Sequence, residues 1–269
     1  MNATRFEIEN QGVRIHGERS GAGDSVLMIH GAGVDRSFFA AAARELSGRF
    51  EVIAYDRRGY TESVLPDDSA ASECSVAVQA EDAAAIIRAL GGGAPMHVVA
   101  HSGGCTIAME LACLHPELVR RVILDEPFII DCLPVGSSYE DVVKRIIDEM
   151  SRGNEIVAIS LLGDLIGGSD PRSRAEHTTP PEVFRANNSH FIRNEFPVFS
   201  SYTPDYQALR SIDLCIFSSE IDHGEEYPQC ACELGSRLDA PVYIVPGKHN
   251  FPTDFPEEFA RFVAGTLLL

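Results

Sequence analysis

Ser102 stands at the centre of Ala100-His101-Ser102-Gly103-Gly104, after the apolar run Met96-His-Val-Val-Ala and before residues 106–115, whose apolar positions recur at helical spacing. A strand, a sharp turn and a helix with serine at the turn is the arrangement of a nucleophile elbow. The turn holds the serine in strained backbone geometry that only small neighbours permit, and it lifts the hydroxyl above the strand at a helix N-terminus. Ala100 replaces the usual first glycine of G-x-S-x-G and is small enough to serve. The chemistry expected of such a serine is nucleophilic attack on a carbonyl carbon.

That chemistry needs a base, an acid that orients the base, and donors for the oxyanion. His249, in Val245-Pro-Gly-Lys-His-Asn-Phe-Pro, follows the last apolar run and precedes a final amphipathic stretch. This is where a base belongs when nucleophile, acid and histidine follow one another along the chain. His30 and His101 also fall near the expected site, as loop support or pocket lining. His30-Gly31-Ala32-Gly33 follows the first buried strand. Small side chains let backbone amides approach closely, so the amides of Ala32 and Gly103 are the expected oxyanion donors. Neither a Walker lysine nor G-x-G-x-x-G accompanies these glycines, which sets phosphate chemistry aside. Two carboxylates are placed to accept from the far imidazole nitrogen. Asp222 ends Phe217-Ser-Ser-Glu-Ile-Asp after the seventh strand, the commonest place for this acid, and Glu126 ends Val122-Ile-Leu-Asp-Glu after the sixth.

The elements that must position these groups are legible in outline. Arg5-Phe-Glu-Ile-Glu, Asn10-Gln-Gly and Val13-Arg-Ile-His alternate about a turn, which predicts an edge hairpin. Six short apolar runs follow, starting at Val26, Val52, Met96, Val122, Leu214 and Val242. They lack internal alternation and so suit strands buried on both faces, with helices over 76–90, 106–115 and 256–263 covering a mostly parallel, doubly wound α/β sheet. Between residues 131 and 206 this alternation stops. Two helical periods, 141–150 and 156–166, precede a Gly, Ser and Pro segment (167–181) and an aromatic stretch over 183–199. The expectation is a core of residues 1–130 and 207–269 with a helical cap, 131–206, inserted after the sixth strand over the carboxyl ends where such sheets bind ligands. Phe128, Phe184, Phe191, Phe196 and Phe199 are candidate pocket lining.

Composition bounds the partners. A chain of 269 residues with 45% hydrophobic content can bury a sizeable core. A net charge of -18 disfavours nucleic acid, anionic membrane surfaces and strongly anionic substrates. No apolar run is long enough to span a membrane, and the first residues carry no basic segment followed by an apolar one, so the cytoplasm is the expected location. Seven cysteines are irregularly spaced, and Cys230-Ala231-Cys232 has one intervening residue instead of the two usual in zinc and redox motifs. Buried or idle thiols are expected, and no metal or organic cofactor.

Asp56-Arg-Arg-Gly, His101-Ser-Gly-Gly, Asp125-Glu-Pro, Asn194-Glu-Phe-Pro-Val-Phe, Tyr202-Thr-Pro-Asp-Tyr-Gln-Ala-Leu and Pro246-Gly-Lys-His together carry a family resemblance. Over nearly its whole length the chain resembles the α/β-hydrolase superfamily, in the branch that includes the zearalenone lactonases. In that branch the triad acid is a glutamate directly before proline after the sixth strand, so the resemblance implies Glu126. Those relatives lack an aspartate matching Asp222. This chain also has no tryptophan, and its cap offers no indole wall to a large aromatic macrolactone. The expected activity is a serine hydrolase cleaving an apolar ester or lactone through an acyl-enzyme. Cofactor-free lyases, C–C bond hydrolases and non-catalytic ligand receptors on the same fold stay open, as does a homodimer.

Overall fold

The hairpin at the sheet edge is set by its turn. In a computed structural model that describes residues 3–66, 71–166, 170–173, 180–220 and 226–269, β1 (Thr4–Asn10) and β2 (Val13–Gly21) pair antiparallel about Gln11 and Gly12. Both turn residues have positive φ, 48° and 77°, as a two-residue hairpin loop with the right twist requires. β2 pairs antiparallel with β4 (Glu51–Tyr55), and all later pairings are parallel. They join β3 (Ser25–Ile29), β5 (Met96–His101), β6 (Val119–Asp125), β7 (Leu214–Ser219) and β8 (Val242–Val245). The eight-stranded order is β1-β2-β4-β3-β5-β6-β7-β8. Strand order reverses between β3 and β5, so the crevice for a ligand opens beyond their carboxyl ends.

Successive side chains of the central strands enter two cores. Leu27, Val98, Val122 and Leu124 pack with Ala80, Ala84 and Ile87 of the helix Val76–Leu90 and with the helix Gly104–Leu114. Val26, Met28, Val99 and Ile123 pack on the other face with Leu46, Phe259 and Val263 of the helices Ala40–Leu46 and Pro256–Leu267. Residues buried on both faces explain why these strands lack alternation. β8 departs from that expectation, because Tyr243 and Ile244 are 38% and 44% exposed. It is the last strand of the sheet and has a neighbour on one side only.

Between β6 and β7 the described residues include the α-helices Ser138–Ser151, Glu155–Ile166, Pro181–His190, Phe196–Phe199 and Tyr206–Leu209 and no strand. The five residues Phe191–Glu195 form a turn of π-helix between the third and fourth of these. Val143, Ile146, Leu162, Leu165, Phe191 and Phe196 make a separate apolar cluster that reaches Tyr60, in the segment after β4. Among the described residues no helix is long and apolar enough to cross a membrane. On the helix Glu226–Leu238, Cys230 is buried and Cys232 exposed, so the two thiols do not converge.

Candidate active site

Ser102 follows β5 directly and has φ 52°, a left-handed conformation unfavourable to a residue with a Cβ. Two hydrogen bonds hold it there: its N–H donates to Asp125 O at 2.9 Å, and its carbonyl accepts from Cys105 N at 2.9 Å. Glycines make room for the turn. A Cβ on Gly104 would lie 2.5 Å from Ile29 O and 2.8 Å from His30 O, and one on Gly31 would lie 2.9 Å from Ser102 Cβ. The helix Gly104–Leu114 can therefore start against β3, and the Gly31 loop can close over the serine. Ala100 is wholly buried in the core, where its single methyl fits.

The two loops that were expected to donate amides lie together. Ala32 N is 3.8 Å from the Cβ position of Gly103, and Ala32, Ser102 and Gly103 form the floor of one cavity. Phe128, Leu162, Phe191, Phe196 and Phe199 wall it, enclosing about 490 Å³ including the mouth. Four of the five candidate lining phenylalanines are thus in place. Phe184 is not among them: it is 49% exposed on the helix Pro181–His190, where the helical period points it to solvent. A larger groove between the helices Ala40–Leu46 and Pro256–Leu267 contains none of the candidate residues.

Glu126 extends β6 beside the serine turn and also has a positive φ, 52°. Its N–H donates to Phe217 O at 3.0 Å, and its Oε1 accepts from Ser219 N at 2.5 Å, so the end of β7 holds the carboxylate. Its Oε2 faces His249 Nδ1 at 3.5 Å. Both side chains are buried. Asp222, the alternative acid, lies outside the described residues.

His101 and Asp125 form a second buried pair, with Nδ1 2.7 Å from Oδ2. The His101 ring stacks on Phe38 and lies 4.6 Å from the ring of His249. Burial, with His249 nearby, holds the His101 imidazole well below its ordinary pKa; burial and the adjacent Glu126 push Asp125 well above the carboxylate range. His101 therefore stays neutral.

His30 braces the Gly31 loop. Its Nε2 accepts from Arg57 N at 3.1 Å, so Nδ1 carries the proton and donates to Gly31 O at 2.9 Å. Burial and the Arg57 charge keep this ring neutral. Arg57 donates to the same carbonyl through Nη2 at 3.0 Å, and through Nη1 to both oxygens of Glu195 at 3.0 Å and to Gln79 Oε1 at 2.7 Å. Tyr60 OH and Gln79 Nε2 donate to Glu195, each at 2.7 Å. Arg57 and Glu195 are fully buried. Burial opposes ionisation of Glu195, but Arg57 and His190 outweigh it and hold the carboxyl below its ordinary pKa. Neither residue has a role legible in the sequence, since charged side chains default to the surface and these two are 138 residues apart.

A family model described as the α/β-hydrolase fold matches residues 24–200, more than half of the chain. The chain is 27% identical over 267 residues to the uncharacterised hydrolase YraK of Bacillus subtilis (strain 168), covering 97% of this chain and 95% of that one. It superposes on a thermophilic esterase from Thermogutta terrifontis with TM-score 0.71 at 20% identity, covering 99% and 98% of the two chains. Est816, described as an N-acyl homoserine lactone degrading enzyme, superposes with TM-score 0.72 at 19% identity, covering 97% and 99%. At these identities the likeness to the two solved structures is one of fold.

Proposed function

Because this chain belongs to the α/β-hydrolase family, we propose that it is a serine hydrolase cleaving a carboxylic ester or lactone, with Ser102 as nucleophile, His249 as base and Glu126 as orienting acid. The observation that carries this reading is the approach of Glu126 to His249 Nδ1 at the end of the strand beside the one that presents Ser102. With Nδ1 facing Glu126, Nε2 is the nitrogen this mechanism assigns to the serine proton. His249 takes that proton as Ser102 Oγ attacks the carbonyl carbon, and the amides of Ala32 and Gly103 receive the negative oxygen. Collapse expels the alcohol, which takes the proton from His249. Water then attacks the acyl-enzyme with His249 again as base, releasing the acid and free Ser102.

Residues 131–206 serve as a cap over this machinery, with 1–130 and 207–269 as the catalytic core. The phenylalanine and leucine walls that this segment contributes favour a neutral substrate with an apolar acyl or alcohol part. An esterase and a lactone-degrading enzyme among the structural neighbours are consistent with that chemistry.

An active-site organophosphonate, read by intact-mass and peptide analysis, tests the nucleophile: one adduct on Ser102 is expected, and none in Ser102→Ala. An enzyme that stays unlabelled and leaves small neutral esters untouched sinks the hydrolase reading. For the acid, Glu126→Gln is expected to lower kcat by at least about 100-fold while Asp222→Asn stays near wild type. The opposite pattern would hand the role to Asp222.

A further inference from the structure

The peptide that joins Gly31 to Ala32 is gripped from behind. In a trans peptide the carbonyl and the N–H point in opposite directions, so whatever holds Gly31 O also aims Ala32 N–H. Gly31 O accepts from His30 Nδ1 at 2.9 Å and from Arg57 Nη2 at 3.0 Å. The second donor is a full cation, and charge drawn to the carbonyl oxygen makes the N–H of the same peptide a stronger donor. Arg57 in turn is fixed by Glu195, Gln79 and Tyr60, and Glu195 belongs to the helical segment between β6 and β7. That segment grips the loop at a second point: Asn188 Nδ2 donates to Gly33 O at 3.3 Å. Ala32 is thus flanked by two carbonyls, each with one partner that belongs to the helical segment or is held by it.

We propose that Arg57, held by Glu195, is a positioning residue of the oxyanion hole, fixing and polarising the Gly31–Ala32 peptide so that docking of the helical cap and assembly of the hole are one event. This rests on the serine-hydrolase reading above. Buried pairs are not automatically functional, and the same loop supplies an internal comparison. Arg58 is equally buried and is bound through Nε and Nη2 to Asp82, both at 2.6 Å, but its hydrogen bonds run to Asp82 and Glu73 O, away from the Gly31 loop.

The test compares Arg57→Lys with Arg58→Lys in the full chain. Each keeps its charge and loses the planar fork that spans two partners. The readouts are the maximal rate of Ser102 phosphonylation, whose transition state places negative oxygen in the hole, and kcat and KM on a neutral p-nitrophenyl ester. Arg57→Lys is expected to slow phosphonylation and kcat at least tenfold with KM within threefold, and Arg58→Lys to leave both rates within threefold. Equal losses in the two variants, or an Arg57→Lys rate within threefold of wild type, overturn the proposal. If Arg57→Lys is not recovered folded, Arg57→Met/Glu195→Leu, which removes both charges together, takes the same test with the same thresholds. A wild-type enzyme that resists the phosphonate removes the hydrolase reading and this one with it. A labelled wild type with an unaffected Arg57→Lys removes this one alone.

Discussion

An ionised carboxylate at Glu195 survives complete burial because a guanidinium, a phenol and an amide all donate to it. Taking away its charge strands the partner: Glu195→Gln leaves Arg57 as a buried cation without a counter-ion, and should cost about 3–5 kcal/mol of stability at pH 7. The sign with pH follows from the direction of the shift. Because the folded pKa lies below the ordinary value of 4.5, the carboxylate's contribution is complete above that value and is lost as the pH falls through the lower, folded one. Urea unfolding of wild type and Glu195→Gln at pH 7 and then below pH 4 should show the gap between them closing in acid. A gap that stays constant would mean the charge itself contributes nothing. Ser102 and His249 stood out in the sequence because their neighbours, small residues about a turn and a loop after the last strand, are local. Arg57 and Glu195 could not stand out, since only the packing of the helical segment onto the sheet makes them neighbours.

At the level of elements, the elbow depends on how near the helix Gly104–Leu114 comes to β3. Backbone oxygens of Ile29 and His30 occupy the space where a Cβ on residue 104 would go, and backbone gives way less readily than a side-chain tip. Gly104→Ala should therefore destabilise by about 2–3 kcal/mol, as overpacking of a filled core does, and should lower kcat because the same helix start sets the direction of Ser102. Equilibrium unfolding and steady-state kinetics on one preparation check both; a stable, fully active variant would refute the account. The hairpin, the parallel strands and the principal helices were readable from period and from turn residues. Strand exposure at β8 was not, because an apolar run reads the same at the edge of a sheet as at its centre. The face presented by Phe184 was not either, since aromatic content marks the helical segment without giving the rotation of each helix.

For the whole molecule, a net charge of -18 surrounds a cavity whose walls are apolar. Long-range repulsion acts on an approaching anion and is screened within about 10 Å at 0.1 M salt, whereas a neutral ester feels none of it. Raising ionic strength from about 0.02 to 0.5 M should lower KM severalfold for an ester with a distal carboxylate and change it less than about twofold for its neutral isostere. Parallel salt series on such a pair decide it; identical curves would show that the surface charge does not reach the cavity mouth.

The π-helical turn at Phe191–Glu195 bears on how such a molecule could have arisen. A π turn accommodates one residue more than the α-helix it interrupts, so deleting one codon within it would restore ordinary winding. Everything on one side of the deletion would then rotate by about 100° relative to the other, the angle per residue in an α-helix. Glu195 ends that turn, and such a rotation would carry it away from Arg57. Gain or loss of one codon is then enough to join or part the two halves of the protein, leaving the serine, the histidine and the sheet beneath them unaltered.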